Sequence, residues 1–338
     1  MLTPPRAKSP VLTWRVALAL GSVYVIWGST YLAIKFAVAP KHGTPLPPML
    51  MPAIRFGVAG VLLLAYAVRR PAADGLPDPL GWRQWRATGI VAIALLVGGN
   101  GLVTLAETHQ LDSGITAVIV ALTPLWVAVI GLARRDKKLP ALALVGIVLG
   151  LFGVAALVWP TGHTHIKTGA ALTVVVASLS WAGGSYYSRS APLPRRPLVM
   201  TGMEMVVASA AFFVVSAVRG ELSGFSLADV SAGAWSALAY LTVVGGMVAF
   251  TAYVWLLRNA PLSLATTYAY VNPIVAVFLG WLLGDESLSV RDLLATAVVV
   301  VSVALILSTH RSAPVESSSS TGALMPGDTR TEVRPPRQ

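Results

Sequence analysis

Residues 260–284, APLSLATTYAYVNPIVAVFLGWLLG, constrain this chain most: they carry no charge, and Pro273 stands near their middle. About twenty apolar residues, rising 1.5 Å each, cross the roughly 30 Å hydrocarbon core of a bilayer. A proline inside such a span frees a carbonyl, which is tolerated where neighbouring helices satisfy it. Tyr268, Tyr270 and Asn272 directly precede Pro273, so hydrogen-bonding side chains gather where the backbone is loosened, and this segment is expected to line a cavity. Residues 111–135 repeat the theme, with Pro124 lying 149 positions before Pro273. Both prolines are expected to act as hinges.

Composition agrees. Hydrophobic residues make up 55% and charged residues 12%, against about a quarter charged in soluble domains. The chain therefore reads as an all-α integral membrane protein. The net charge of +11 would suggest nucleic acid in a soluble domain. Here the basic residues fall between apolar runs without an interleaved aromatic patch, so no nucleic-acid partner is expected. The chain has no cysteine, which excludes thiol nucleophiles and Cys-ligated metals.

Ten spans are predicted, near residues 14–39, 48–68, 87–108, 114–133, 140–159, 168–188, 197–218, 233–257, 262–283 and 290–308. The apolar region of the first is too long for a signal peptide, so it reads as an uncleaved helix. Residues 1–13 form a basic tail. Residues 310–338, rich in Ser, Pro and Gly, are expected to be a disordered tail. Lys and Arg alternate between loops: Arg69, Arg70, Arg134, Arg135, Lys137, Lys138, Arg195 and Arg196 lie on one side, and Lys41, Lys167, Arg219 and Arg291 on the other. The richer side reads as cytoplasm, which puts both termini there.

A shift of 149 residues superposes the halves 14–159 and 160–309. It places Pro48 on Pro197, Met51 on Met200, Arg55 on Glu204, Pro124 on Pro273 and Gly131 on Gly280. The first and sixth spans match with a shift of 154, which brings Trp27 onto Trp181 and Lys35 onto Arg189. Each repeat holds five spans, an odd number, so the second is expected to be inverted relative to the first, as in secondary transporters.

Candidate transport residues follow from polarity inside spans. Arg55 and Glu204 carry opposite charge at equivalent positions, and pair either as a lock of one conformational state or as a permanent structural ion pair. Asn100 follows two glycines and suits solute binding or an interhelical hydrogen bond. Glu107 and Glu204 are candidates for ion coupling. Trp27, Tyr31, Trp181, Tyr186 and Tyr253 are expected at the substrate cavity with Tyr270 and Asn272, whereas Trp14, Trp82, Trp85, Trp159 and Trp281 suit an interfacial belt. Lys35 and Arg189 are expected to snorkel to headgroups. Gly146 and Gly150 form a GxxxG that marks an intramolecular seam or a homodimer face.

The strings WGSTYLAIKFAV (27–38), GNGLVTLAETHQLDSGITAVIVALTPL (99–125), SWAGGSYYSR (180–189) and RNAPLSLATTYAYVNPIVAVFLG (258–280) resemble the drug/metabolite transporter superfamily. The likeness is to its EamA-type exporters and, among them, the YedA-like branch. It covers about residues 14–308. It implies ten helices in two inverted five-helix bundles around a central cavity, and export of small metabolites, amino acids or drug-like solutes across the inner membrane by alternating access.

Other classes are weaker fits. The five histidines show no metal-ligand spacing, and there is no Walker A or G-x-S-x-G motif, so no metal, cofactor or catalytic residue is expected. A channel would carry rings of like charge or a filter loop. A proton-coupled uptake carrier of the same fold remains an open alternative.

Overall fold

The structure, a computed structural model, describes residues 13–70, 78, 80–109, 111–135, 140–158, 168–260 and 267–309. Both tails therefore lie outside the described residues, as do the loop positions between these segments. Among the described residues the architecture is helical throughout: α1 (Trp14–Val38), α2 (Leu50–Arg69), α3 (Trp82–Thr108), α4 (Ser113–Ala133), α5 (Ala141–Val158), α6 (Thr168–Ser188), α7 (Pro197–Val218), α8 (Ala232–Tyr240, continued by Leu241–Val248 and Ala249–Asn259), α9 (Tyr268–Leu283) and α10 (Val290–Thr309). One isolated bridge joins Thr44 to Val230.

Six of the helices, α1, α2, α3, α4, α7 and α8, are long and apolar enough to cross a membrane, while Ala141–Ala156 and Val271–Leu283 are shorter apolar helices. Large apolar side chains such as Val61, Phe152, Phe213 and Trp281 face outward, whereas Arg55, Glu107, Glu204 and Glu286 are buried. That inside-out distribution suits a hydrocarbon solvent. Trp14 and Trp82 are exposed, as a membrane-interface belt requires.

Local sequence explains the irregularities. α4 breaks at Ala121–Leu122 and restarts at Thr123, where Pro124 occupies the first turn and needs no amide hydrogen. Pro273 is buried inside α9. Two helices loosen into π-helix, at Ile93–Gly101 in α3 and Leu241–Val248 in α8. Each stretch contains a glycine pair, Gly98–Gly99 and Gly245–Gly246.

Helix α2 runs antiparallel along α7, with Ser209 Oγ donating to the Ala53 carbonyl at 2.7 Å and Gly202 facing Leu64. A Cβ on Gly60 would lie 2.8 Å from Met205 Cβ, so the close approach requires glycine there. α5 packs on α10 through Ser302 Oγ, which donates to the Gly146 carbonyl at 2.6 Å, and Gly150 faces the same serine. The GxxxG motif is thus an intramolecular seam. α1 packs against α8 and α9, and α6 against α3 and α4.

Two helices begin on acidic caps from distant loops. Glu221 Oε2 accepts from the amides of Met49 (2.9 Å) and Leu50 (3.1 Å) at the start of α2. Asp78 Oδ1 accepts from the Arg196 amide (3.1 Å) just before α7. Helix amino ends carry unpaired donors and positive dipole charge, so a carboxylate stabilises each.

Candidate functional site

The largest charged assembly lies where α1 ends. Lys35 Nζ sits 2.8 Å from Glu286 Oε1 and 3.1 Å from Asp112 Oδ1. Glu286 Oε1 also accepts from the amide and hydroxyl of Ser113, both at 2.8 Å, and its Oε2 from the Gly114 amide at 3.1 Å. The carboxylate thus closes the amino end of α4 while paired with a cation from α1. A tight turn after α9 aims it there: Gly284 and Glu286 amides both donate to the Gly280 carbonyl, and Asp285 takes a positive φ of 50°. A Cβ on Gly280 would stand 2.3 Å from Glu286 Oε2, so the carboxylate occupies the space a side chain would need. Burial pushes the Asp112 carboxyl above the ordinary aspartate range, against the pull of Lys35. On the rim, Lys41 bonds Asp285 at 2.6 Å and holds that carboxyl below its ordinary range.

Glu107 adjoins this assembly. It is fully buried, within Coulombic range of Lys35, Glu286 and Tyr31, and neither of its carboxyl oxygens has a hydrogen-bond partner among the described residues. Lys35 therefore does not snorkel to headgroups as expected. Two carboxylates within bonding distance hold it inside the bundle, where a lone ammonium would stand uncompensated.

A second assembly surrounds the π-helical stretches. Trp27 packs against Tyr253 (centroids 5.1 Å) and Tyr268 (4.9 Å), and its Nε1 donates to the Gly245 carbonyl at 3.3 Å. In the other repeat Trp181 covers Gly99, whose missing Cβ would fall 2.6 Å from the indole. The repeat-equivalent tryptophans thus each seat on a glycine pair of a π-helical stretch, an irregularity frequent at functional sites. Asn100 ends the same run half-buried, its carbonyl accepting from Thr104 Oγ1 at 2.9 Å. Asn272 is buried beside Gly28, with Oδ1 unpartnered among the described residues.

The remaining candidates disperse. Tyr31 packs half-buried near Glu107. Tyr186 lies at the far end of α6, with the guanidinium carbons of Arg134 and Arg189 5.8 and 6.0 Å from its ring centre. The Tyr270 side chain lies outside the described residues. Arg55 is buried, with Cζ 4.9 Å from the centre of the Phe56 ring and Nε unpartnered among the described residues. No hydrogen bond or ion pair joins it to Glu204 among the described residues. The reason is register: Ala53 and Gly57 sit level with Ser209, and Gly60 with Met205. Glu204 therefore lies about five residues further along α2 than Arg55, roughly 7–8 Å at 1.5 Å per residue. Sequence reasoning did not single out Glu286 or Asp112. The signal available was the acidic pair Asp285–Glu286 directly after an apolar span.

Comparison with known proteins completes the description. Residues 13–159 and 168–308 match the EamA-like transporter family. An Escherichia coli K12 protein described as the uncharacterized inner membrane transporter YedA is 38% identical over 299 residues, covering 85% of this chain and 89% of that protein. A chloroplastic WAT1-related protein of Arabidopsis thaliana is 27% identical, covering 87% of this chain and 69% of its own length. The uncharacterized transporter YoaV of Bacillus subtilis is 25% identical, covering 84% and 94%. One solved crystal structure of a protein aligns with a TM-score of 0.55 at 19% identity, covering 87% of this chain and 97% of its own, a likeness of fold.

Proposed function

The chain belongs to the EamA-like transporter family, and on that premise we propose that it is a secondary transporter exporting small metabolites, amino acids or drug-like solutes across the inner membrane by alternating access. In this reading ten spans form two inverted five-helix repeats with both termini in the cytoplasm. The helix pairings support it: α1 with α8 and α9 recurs as α6 with α3 and α4. So do the acidic caps on α2 and α7, and the tryptophans on the two π-helical stretches.

The single observation that carries the reading is an asymmetry of closure. At one end, outside in this orientation, Glu286 ties the α9–α10 turn to α1 and α4. The repeat-equivalent positions of Lys35, Asp112 and Glu286 are Arg189, Pro261 and Lys137, which include no carboxylate. The two ends of a pseudo-symmetric bundle thus carry different groups with which to close, which supports a closure held at one end at a time. Trp27, Tyr253, Tyr268, Trp181, Asn100 and Asn272 form the substrate-facing set, with Pro124 and Pro273 as hinges. One observation favours a second reading, proton-coupled uptake: the buried, unbonded carboxyl of Glu107.

A panel of labelled amino acids, nucleobases and cationic drugs, offered to proteoliposomes and to overproducing cells, tests the function. Saturable flux of one class is expected. Flux that rises linearly without saturation, or an ionic current in its place, contradicts a carrier.

A further inference from the structure

We propose that Glu107 is a proton-binding site that controls the Lys35–Glu286 latch, an inference that rests on the transporter reading and adds a proton-regulated outer closure to it. The observations are geometric. Glu107 is 0% exposed and both its oxygens lack partners among the described residues, whereas Glu286 accepts four hydrogen bonds, from Lys35, the Ser113 amide and hydroxyl, and the Gly114 amide. The groups near enough to exchange charge influence with Glu107 are Tyr31 and Lys35 on α1 and Glu286 after α9. Asp112, before α4, shares Lys35 and feels Asp292 of α10, and the exposed His109 lies two residues after Glu107. Lys35 supplies the one positive charge of this group and already serves two carboxylates. A third ionised carboxylate would bring the sum of Lys35, Asp112, Glu286 and Glu107 to two negative charges inside the bundle. A proton on Glu107 removes that excess without any rearrangement.

The switch follows from the same atoms. When the Glu107 O–H bond breaks and the proton passes to water on the outer side, the new carboxylate competes for the Lys35 ammonium, which stays charged throughout. Lys35 then turns from Glu286 to Glu107. Glu286, without its cation, loosens its hold on the amino end of α4, and the α9–α10 turn separates from α1 and α4. Closing reverses each step and takes one proton up. Outward opening is thereby coupled to release of one proton.

The chain's lack of cysteine makes the test direct. Spin labels are placed on His109→Cys and Ser287→Cys, both exposed, across the seam between the α3–α4 and α9–α10 turns. Replacing His109 also removes the nearby imidazole. In detergent-purified full-length protein the long-distance fraction is expected to grow between about pH 5 and about pH 9, with the open-to-closed ratio changing about tenfold per pH unit, the slope of a one-proton linkage. Adding Glu107→Gln should hold the short distance at both extremes, Glu107→Asp should keep a pH response, and Glu286→Gln should give the long distance throughout. In lightly buffered solution the unlabelled protein should release one more proton per chain as pH rises over this range than the Glu107→Gln variant. A Glu107→Gln protein that keeps the pH-dependent distance, or a Glu107-containing protein that shows none, overturns the proposal. No solute enters these measurements, so their failure leaves saturable solute flux standing, whereas absent flux with an intact pH switch would sink the transport reading alone.

Discussion

Lys35 Nζ and Glu286 Oε1, on residues 251 positions apart, meet at 2.8 Å, and the same carboxylate oxygen accepts from the Ser113 amide and hydroxyl. One side chain thus ties the first span of one repeat, the start of a span in the same repeat, and a turn of the other repeat. Breaking it should be felt in all three.

Glu286→Ala should lower stability on the order of 3–5 kcal/mol, because it leaves the Ser113 and Gly114 amides buried without an acceptor and takes one partner from Lys35. Lys35→Ala should cost a similar amount, and the double variant markedly less than the sum. Thermal unfolding in detergent measures all three. Strict additivity would show that the two residues do not act as a pair.

Gly280→Ala and Gly131→Ala form an internal control, since the positions are repeat equivalents. A Cβ at Gly280 meets Glu286 Oε2 at 2.3 Å, whereas at Gly131 nothing lies within 4 Å. The first variant should displace the latch and destabilise by about 1–3 kcal/mol, an overpacking cost. The second should stay within about 0.5 kcal/mol. Equal effects would mean that the Gly280 contact yields freely.

Arg55→Ala and Glu204→Ala should be additive within about 0.5 kcal/mol in this conformation. The sequence suggested a pair, and the α2–α7 register places the two side chains apart. A coupling above about 1 kcal/mol in the unfolding free energies would show that they meet.

Glu221→Ala should cost about 1–3 kcal/mol by orphaning the Met49 and Leu50 amides. Glu221→Gln, which keeps an acceptor oxygen, should recover part of that. Unfolding of the two variants side by side tests the cap. A glutamine variant no better than alanine would assign the effect to charge instead.

Much of this was legible in sequence because membrane spans advertise themselves one at a time. A helix interruption at residues 121–122 lies just before Pro124, and the pairing of Trp27 with Trp181 came from the repeat alone. The latch was not legible, since Lys35, Asp112 and Glu286 come from three distant segments and each sits near a span end, where charge is the default. Lys35 was consequently assigned to headgroups. The π-helical stretches were also missed, although glycine pairs at 98–99 and 245–246 recur 147 positions apart and mark them in hindsight. Nor could the period of a single helix reveal the offset between Arg55 and Glu204, which depends on how α2 slides against α7.

The central claim is that the Lys35–Glu286 contact shuts the outer end of a solute path. On the cysteine-free chain, Asn100→Cys places a thiol within the α3 π-helical stretch, next in sequence to the Gly99 that Trp181 covers. A membrane-impermeant maleimide applied to right-side-out vesicles should label this thiol slowly, and adding Glu286→Ala should accelerate labelling at least about tenfold, the factor for a 1.4 kcal/mol shift in the closed-to-open equilibrium. Equal rates with and without Glu286 would contradict the claim.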